Sequence, residues 1–173
     1  MINRGWLEPV NEGTILFFDD AKEIYPYFKV HGLVIEHDEL GKPFIVNQED
    51  KHISISYMRR EGAGIAIVSD VPIGIDIEQV RLRYCANAAK RLFTPDELEY
   101  IAEATGIFKQ EKRYLELWTR KEARLKCDGV GLNGIPNDFS VLAADPDHYY
   151  VTSTHHDYVI SICATRDLEL NFH

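Results

Sequence analysis

Gly74-Ile75-Asp76-Ile77-Glu78 and Trp118-Thr119-Arg120-Lys121-Glu122-Ala123-Arg124-Leu125-Lys126 decide how this chain reads. The first stretch alternates with period two, so it reads as a strand. Ile73, Ile75 and Ile77 fall on one face, and Gly74, Asp76 and Glu78 on the other. The second reads as a helix. At the helical step of roughly 100° per residue, Tyr114, Leu115, Trp118 and Leu125 form an apolar stripe that contains Glu122. A carboxylate in such a stripe is costly unless a cation or hydrogen bonds satisfy it. Lys126, one turn on, supplies the ordinary i,i+4 partner. Three carboxylates drawn from this strand and this helix also suit a hard, oxygen-preferring cation such as Mg2+.

Working outward, three strands are expected at 52–57, 64–69 and 72–78, joined by turns into an antiparallel meander. Upstream lie short strands at 14–18 and 32–36, around a helix within 19–30 capped by Asp19 or Asp20. Gly41-Lys42-Pro43 is a turn carrying one cation. Downstream, 81–92 reads as a helix. Thr94-Pro95-Asp96-Glu97 is a helix start with Glu97 in a capping box. The Glu122 helix runs over about 108–127 and stops at Gly129 and Gly131. Strands follow at 139–142, 149–153 and 158–164. The expected class is α+β, with antiparallel sheets packed with helices in one domain over 1–173.

A net charge of -9 argues against non-specific nucleic-acid binding, which needs a basic footprint. No stretch is long and apolar enough for a membrane span, and Met1 to Asn11 lacks the apolar run of a signal peptide. Cys85, Cys127 and Cys163 form no CxxC pattern and are expected to be buried, reduced thiols of a cytoplasmic protein. The seven histidines share no helical spacing with one another or with cysteine, so no zinc pattern is legible. GxSxG, P-loop and GxGxxG motifs are absent.

Taken in order, Gly74-Ile75-Asp76-Ile77-Glu78, Phe93-Thr94-Pro95-Asp96-Glu97, Trp118-x-x-Lys121-Glu122-Ala123-x-x-Lys126 and Gly129-Val130-Gly131-Leu132 resemble the 4'-phosphopantetheinyl transferase superfamily. The likeness covers about 40–164 and is nearest the pseudo-dimeric type. It implies two pseudo-symmetric halves, a reduced one over about 1–70 and a second over about 71–173. It also implies transfer of 4'-phosphopantetheine from coenzyme A to a serine of an acyl, peptidyl or aryl carrier protein, with release of 3',5'-ADP. Under the resemblance Asp76, Glu78 and Glu122 hold Mg2+, and Glu122 and Lys126 are the catalytic pair. Gly41, Lys42, Pro43, Ser56, Tyr57, Lys121 and Lys126 contact coenzyme A. The expected protein is a monomer, with no nucleic-acid or membrane partner.

In the family the strand at Ser56 usually continues Ser-His-Ser, whereas this chain reads Ser56-Tyr57-Met58. Tyr57 donates one hydrogen bond but carries no imidazolium charge. A non-catalytic relative that binds coenzyme A or a carrier protein is the alternative. A Mg2+-dependent phosphohydrolase using the same carboxylates is a third reading.

Overall fold

The computed structural model describes residues 13–58, 60–81, 85–131, 136–168 and 170–172. Strands β1 (Thr14–Phe18), β2 (Ile35–His37), β3 (Pro43–Ile45), β4 (His52–Met58) and β5 (Ala63–Ser69) join β9 (Asn171–Phe172) in one sheet. Its order is β2-β3-β4-β5-β1-β9, antiparallel except for the β1–β9 pair. Strands β6 (Ile73–Gln79), β7 (Tyr149–His155) and β8 (Tyr158–Ala164) form a second antiparallel sheet, ordered β6-β8-β7. Helix α1 (Ile24–Val30) packs on the first sheet and α4 (Ile107–Asp128) on the second; α3 (Pro95–Ala102) packs on α4, and α2 (Ala86–Leu92) meets the 3-10 turn Pro136–Asp138, giving an α+β fold. Among the described residues no helix is long and apolar enough to cross a membrane.

The expected meander ends one strand early. β4 and β5 pair over their full length, but β6 leaves them and pairs with β8. The sequence pattern of β6 explains this. Its isoleucine face, Ile73, Ile75 and Ile77, packs with Ile15, Ile65 and Ile67 of the first sheet and Ile160 and Ile162 of the second. The strand therefore buries its apolar side between the sheets, and side chains join its edge to β4. The Ile75 amide donates to Ser54 Oγ at 3.0 Å, and Ser56 Oγ donates to Asp76 Oδ1 at 2.8 Å.

Two further expectations differ. The helix read at 81–92 forms as Ala86–Leu92, and 82–84 lie outside the described residues. Residues 139–142 are not a strand. Their backbone is satisfied by an ion pair instead: the Val141 amide donates to Glu97 Oε1 at 2.8 Å, and Lys121 Nζ donates to the Phe139 carbonyl. Glu97 and Lys121 are both fully buried, with Nζ 2.9 Å from Oε2. The same Glu97 oxygen accepts the Thr94 amide at 2.9 Å, closing the first turn of α3 with Pro95 at its first position.

The pair thus fastens α3, α4 and the segment after α4 at one point, beside Phe93 and Leu117. Removing one partner of a buried pair strands the other charge, which costs about 3–5 kcal/mol. Lys121→Met is accordingly expected to lose that much stability in urea unfolding followed by circular dichroism. A loss under about 1 kcal/mol, the size of an exposed pair, would show that Glu97 is satisfied without it.

Candidate active site

Gly74 sets how closely α4 approaches β6. A Cβ built on it would fall 1.8 Å from the Ala123 carbonyl oxygen and 2.7 Å from the Cys127 amide nitrogen. The helix backbone therefore lies directly on the strand, and Glu122 and Lys126, which flank that contact, come down beside Asp76. Lys126 Nζ donates to Asp76 Oδ1 at 2.7 Å and to the Ile75 carbonyl at 2.8 Å. Asp76 is buried; its Oδ1 is shared by Ser56 and Lys126, while its Oδ2 is buried and accepts no hydrogen bond from the described residues.

Glu122 is half-buried, and Glu78 lies at the surface end of the cluster. Both carboxyls are raised above the usual range. Removal of water by the surrounding protein is the main cause for each, and the charge of Asp76 adds to it. Lys126 opposes the shift in both, and a hydrogen bond from Trp118 opposes it at Glu78. Among the described residues, Lys126 is the cation acting on both raised carboxyls, and Arg81 adds its charge at Glu78 only. An all-oxygen donor set with a buried, unpaired carboxylate oxygen suits a hard divalent cation.

The other expected site residues are distributed more widely. Ser56 joins the cluster through Asp76. Tyr57 points away from Asp76 on its alternating strand; its hydroxyl pairs with that of Tyr25 at 3.0 Å, and Tyr25 in turn meets His37 Nε2 at 3.1 Å. Burial, then the Tyr25 hydrogen bond, raises the Tyr57 phenol. A surface cleft of about 640 Å³ borders Tyr57 and is lined by Asp19, Asp20, Lys22 and Glu61, among others. Its excess of acidic groups is unfavourable to phosphate.

Gly41 and Lys42 form a turn held by Asp38, whose Oδ1 accepts the Leu40 and Lys42 amides at 2.9 and 2.8 Å, and Pro43 opens β3. The turn delivers Lys42 Nζ to the Cys127 carbonyl at 2.9 Å, at the C-terminal end of α4, where a cation is favoured by the helix dipole. Lys42 thus reaches the turn that carries Lys126.

Lys121 is not brought to the cluster: it is fully buried and paired with Glu97. The expected apolar stripe also proves too narrow. α4 buries Leu115, Leu117, Thr119, Lys121, Ala123, Leu125 and Cys127, because the β6–β8 sheet covers one side and α3 another. Sequence reasoning missed Ser54 and the second role of Glu97. The run of alternating serines at 54 and 56 on an otherwise apolar strand was the available signal for the first.

Residues 72–169 match the family model described as the 4'-phosphopantetheinyl transferase superfamily. The chain belongs to that superfamily. The matched region contains both β6 and α4, and so all three carboxylates and Lys126. A 4'-phosphopantetheinyl transferase of Bacillus subtilis is 34% identical over 117 residues, covering 68% of this chain and 50% of the relative. One from Bacillus pumilus is 28% identical over 144 residues, covering 79% and 60%. The chain thus spans about half the length of the curated transferases it matches. Among solved structures, the Thermotoga maritima holo-[acyl-carrier-protein] synthase aligns with a TM-score of 0.46 at 20% identity, over 54% of this chain and 62% of that one.

Proposed function

We propose that this superfamily member transfers the 4'-phosphopantetheine arm of coenzyme A to a serine hydroxyl of an apo acyl, peptidyl or aryl carrier protein, releasing 3',5'-ADP. The observation that carries the reading is the Lys126–Asp76 pair at the β6–α4 contact, with Glu78 and Glu122 near enough for the Asp76 charge to raise both of their carboxyls. Asp76, Glu78 and Glu122 would hold Mg2+; the unpaired Asp76 Oδ2 supports this fit. Bound there, the ion would supply positive charge beside the pyrophosphate oxygens.

The chain's own groups have separable tasks. Lys126 exchanges its Asp76 contact for a phosphate oxygen and offsets charge on the departing nucleotide. Glu122, beside the metal site, is the candidate to take the serine proton. Ser56 fixes the rotamer of Asp76 through Oδ1 and leaves Oδ2 for the ion. Lys42, whose Nζ caps the end of α4 one residue from Lys126, would offer a second cation to the nucleotide phosphates.

A second reading, a non-catalytic relative that binds coenzyme A or a carrier, draws on Tyr57, whose hydroxyl is engaged by Tyr25 where the family usually has a histidine. Chromatographic detection of adenine nucleotide released from coenzyme A in Mg2+ separates the readings. Transfer predicts 3',5'-ADP only when an apo carrier is present. Release without a carrier would indicate hydrolysis. No release with any carrier, while coenzyme A binds by calorimetry, would favour the binder.

A further inference from the structure

Cys127 and Cys163 are buried, and the fold sets them together with His148. Cys163 lies on β8 opposite Gly74, and Cys127 lies on the turn of α4 that rests on Gly74. The missing side chain at Gly74 is therefore what lets the two thiols meet. His148 enters from the turn before β7, and one donor atom from each of the three residues lies within 4.8 Å of the others.

The surroundings are polarised in a specific way. His148 Nε2 is 2.7 Å from Asp128 Oδ1, and Nδ1 is 3.2 Å from Asp145 Oδ2. Arg124 Nη1 pairs with Asp145 Oδ2 at 2.7 Å, and its Nε approaches Asp128 Oδ2 at 3.5 Å. Lys42 Nζ lies on the Cys127 carbonyl. The hydrogen bond between the two thiols holds Cys127 below its ordinary range, with Lys42 and Arg124 adding to that and burial and Asp128 opposing it; the same bond, with burial, pushes Cys163 above its ordinary range.

We propose that Cys127, Cys163 and His148 form a binding site for a thiophilic divalent cation, Zn2+ in the first instance, separate from the carboxylate cluster. Two sulfurs and an imidazole are the donor set that zinc selects over Mg2+. A tetrahedral ion with ligands at about 2.0–2.3 Å sets neighbouring donors about 3.3–3.8 Å apart. With donor atoms within 4.8 Å of one another, the cluster needs to contract by about 1.5 Å at most to reach that spacing. Whichever imidazole nitrogen turns to the ion, the other keeps a carboxylate acceptor, the arrangement that fixes the tautomer of a ligating histidine. The carboxylate released from the ligating nitrogen then lies beside the fourth position. Binding displaces the two thiol protons to solvent and forms two metal–sulfur bonds and one metal–nitrogen bond. The ion would fasten the last turn of α4 to β8 and to the β7 turn, one residue from Lys126.

The test is a Co2+ titration of the full chain, reduced with a non-thiol phosphine. A thiolate-to-cobalt charge-transfer band saturating at one equivalent, and abolished by Zn2+, is the expected result. Glu122→Gln keeps the band, because the carboxylate cluster has no sulfur. Cys85→Ser also keeps it, because Cys85 is exposed and remote in sequence from the other two. His148→Ala weakens Co2+ affinity about tenfold or more without burying a new group. Absence of the band in protein whose thiols titrate as free would overturn the proposal. So would a band unchanged in His148→Ala, or a native mass two hydrogens short, which would mean that the two cysteines form a disulfide instead.

Discussion

Glu122→Gln is expected to reduce phosphopantetheine transfer about a thousandfold or more, the scale of losing a metal ligand or a charge-stabilising group at a reacting phosphoryl centre. Glutamine keeps the size and one acceptor oxygen but cannot carry charge or take a proton. The fold should survive. Glu122 is half-buried and its carboxyl is raised, chiefly by desolvation and then by Asp76. Such a group is less readily ionised in the folded chain than in the unfolded one, so its charge opposes folding once the pH exceeds its unfolded value, and the penalty levels off above the folded value. The neutral variant, in the absence of divalent ions, should melt at the same temperature as the parent or higher. Loss of activity with retained stability is the pattern of a functional carboxylate held at a cost. Full transfer activity in this variant would show that the ion is held elsewhere or is not required.

Gly74→Val is expected to prevent folding of the C-terminal sheet. The atoms that a side chain would strike are backbone, the Ala123 carbonyl at 1.8 Å and the Cys127 amide at 2.7 Å, so no rotamer change relieves the clash. Overpacking a core typically costs about 1–3 kcal/mol when side chains can yield; here α4 itself must lift from β6. That movement would uncover Ile73, Ile75 and the β8 isoleucines and withdraw Lys126 from Asp76. Aggregation on expression, or loss of the cooperative urea transition, is the predicted outcome. A variant with the parent's unfolding midpoint would mean that the helix approaches the strand less closely than 1.8 Å implies.

The two motifs at the centre of the site were legible because local periodicity assigns faces without knowledge of the fold. Period two placed Asp76 and Glu78 on one side of β6, and the i,i+4 step placed Glu122 and Lys126 on one side of α4. What periodicity cannot report is which face of a helix meets which neighbour. α4 is covered on more than one side, so Lys121, assigned to the nucleotide from its place in the motif, lies instead in the interior against Glu97. Glu97 looked like a cap, and only the packing of α3 on α4 reveals its second partner. Gly74 read as an ordinary strand residue, since the backbone it admits is about fifty positions away in the sequence. Sequence separation also hid the approach of Cys127 and His148 to Cys163, which no spacing rule connects. Residues 139–142 carry a strand-like pattern, but their backbone bonds go to Glu97 and Lys121, so no ladder forms.

The central claim is that the carboxylates and lysine at the β6–α4 contact make this chain a phosphopantetheine transferase. Intact-mass spectrometry of an apo carrier protein, incubated with the chain, coenzyme A and Mg2+, tests it most directly. The account predicts a gain of one phosphopantetheine group on the carrier, absent when EDTA replaces Mg2+ and absent with Glu122→Gln. Carriers of the acyl, peptidyl and aryl classes that all remain at their apo mass, with coenzyme A intact, would contradict it.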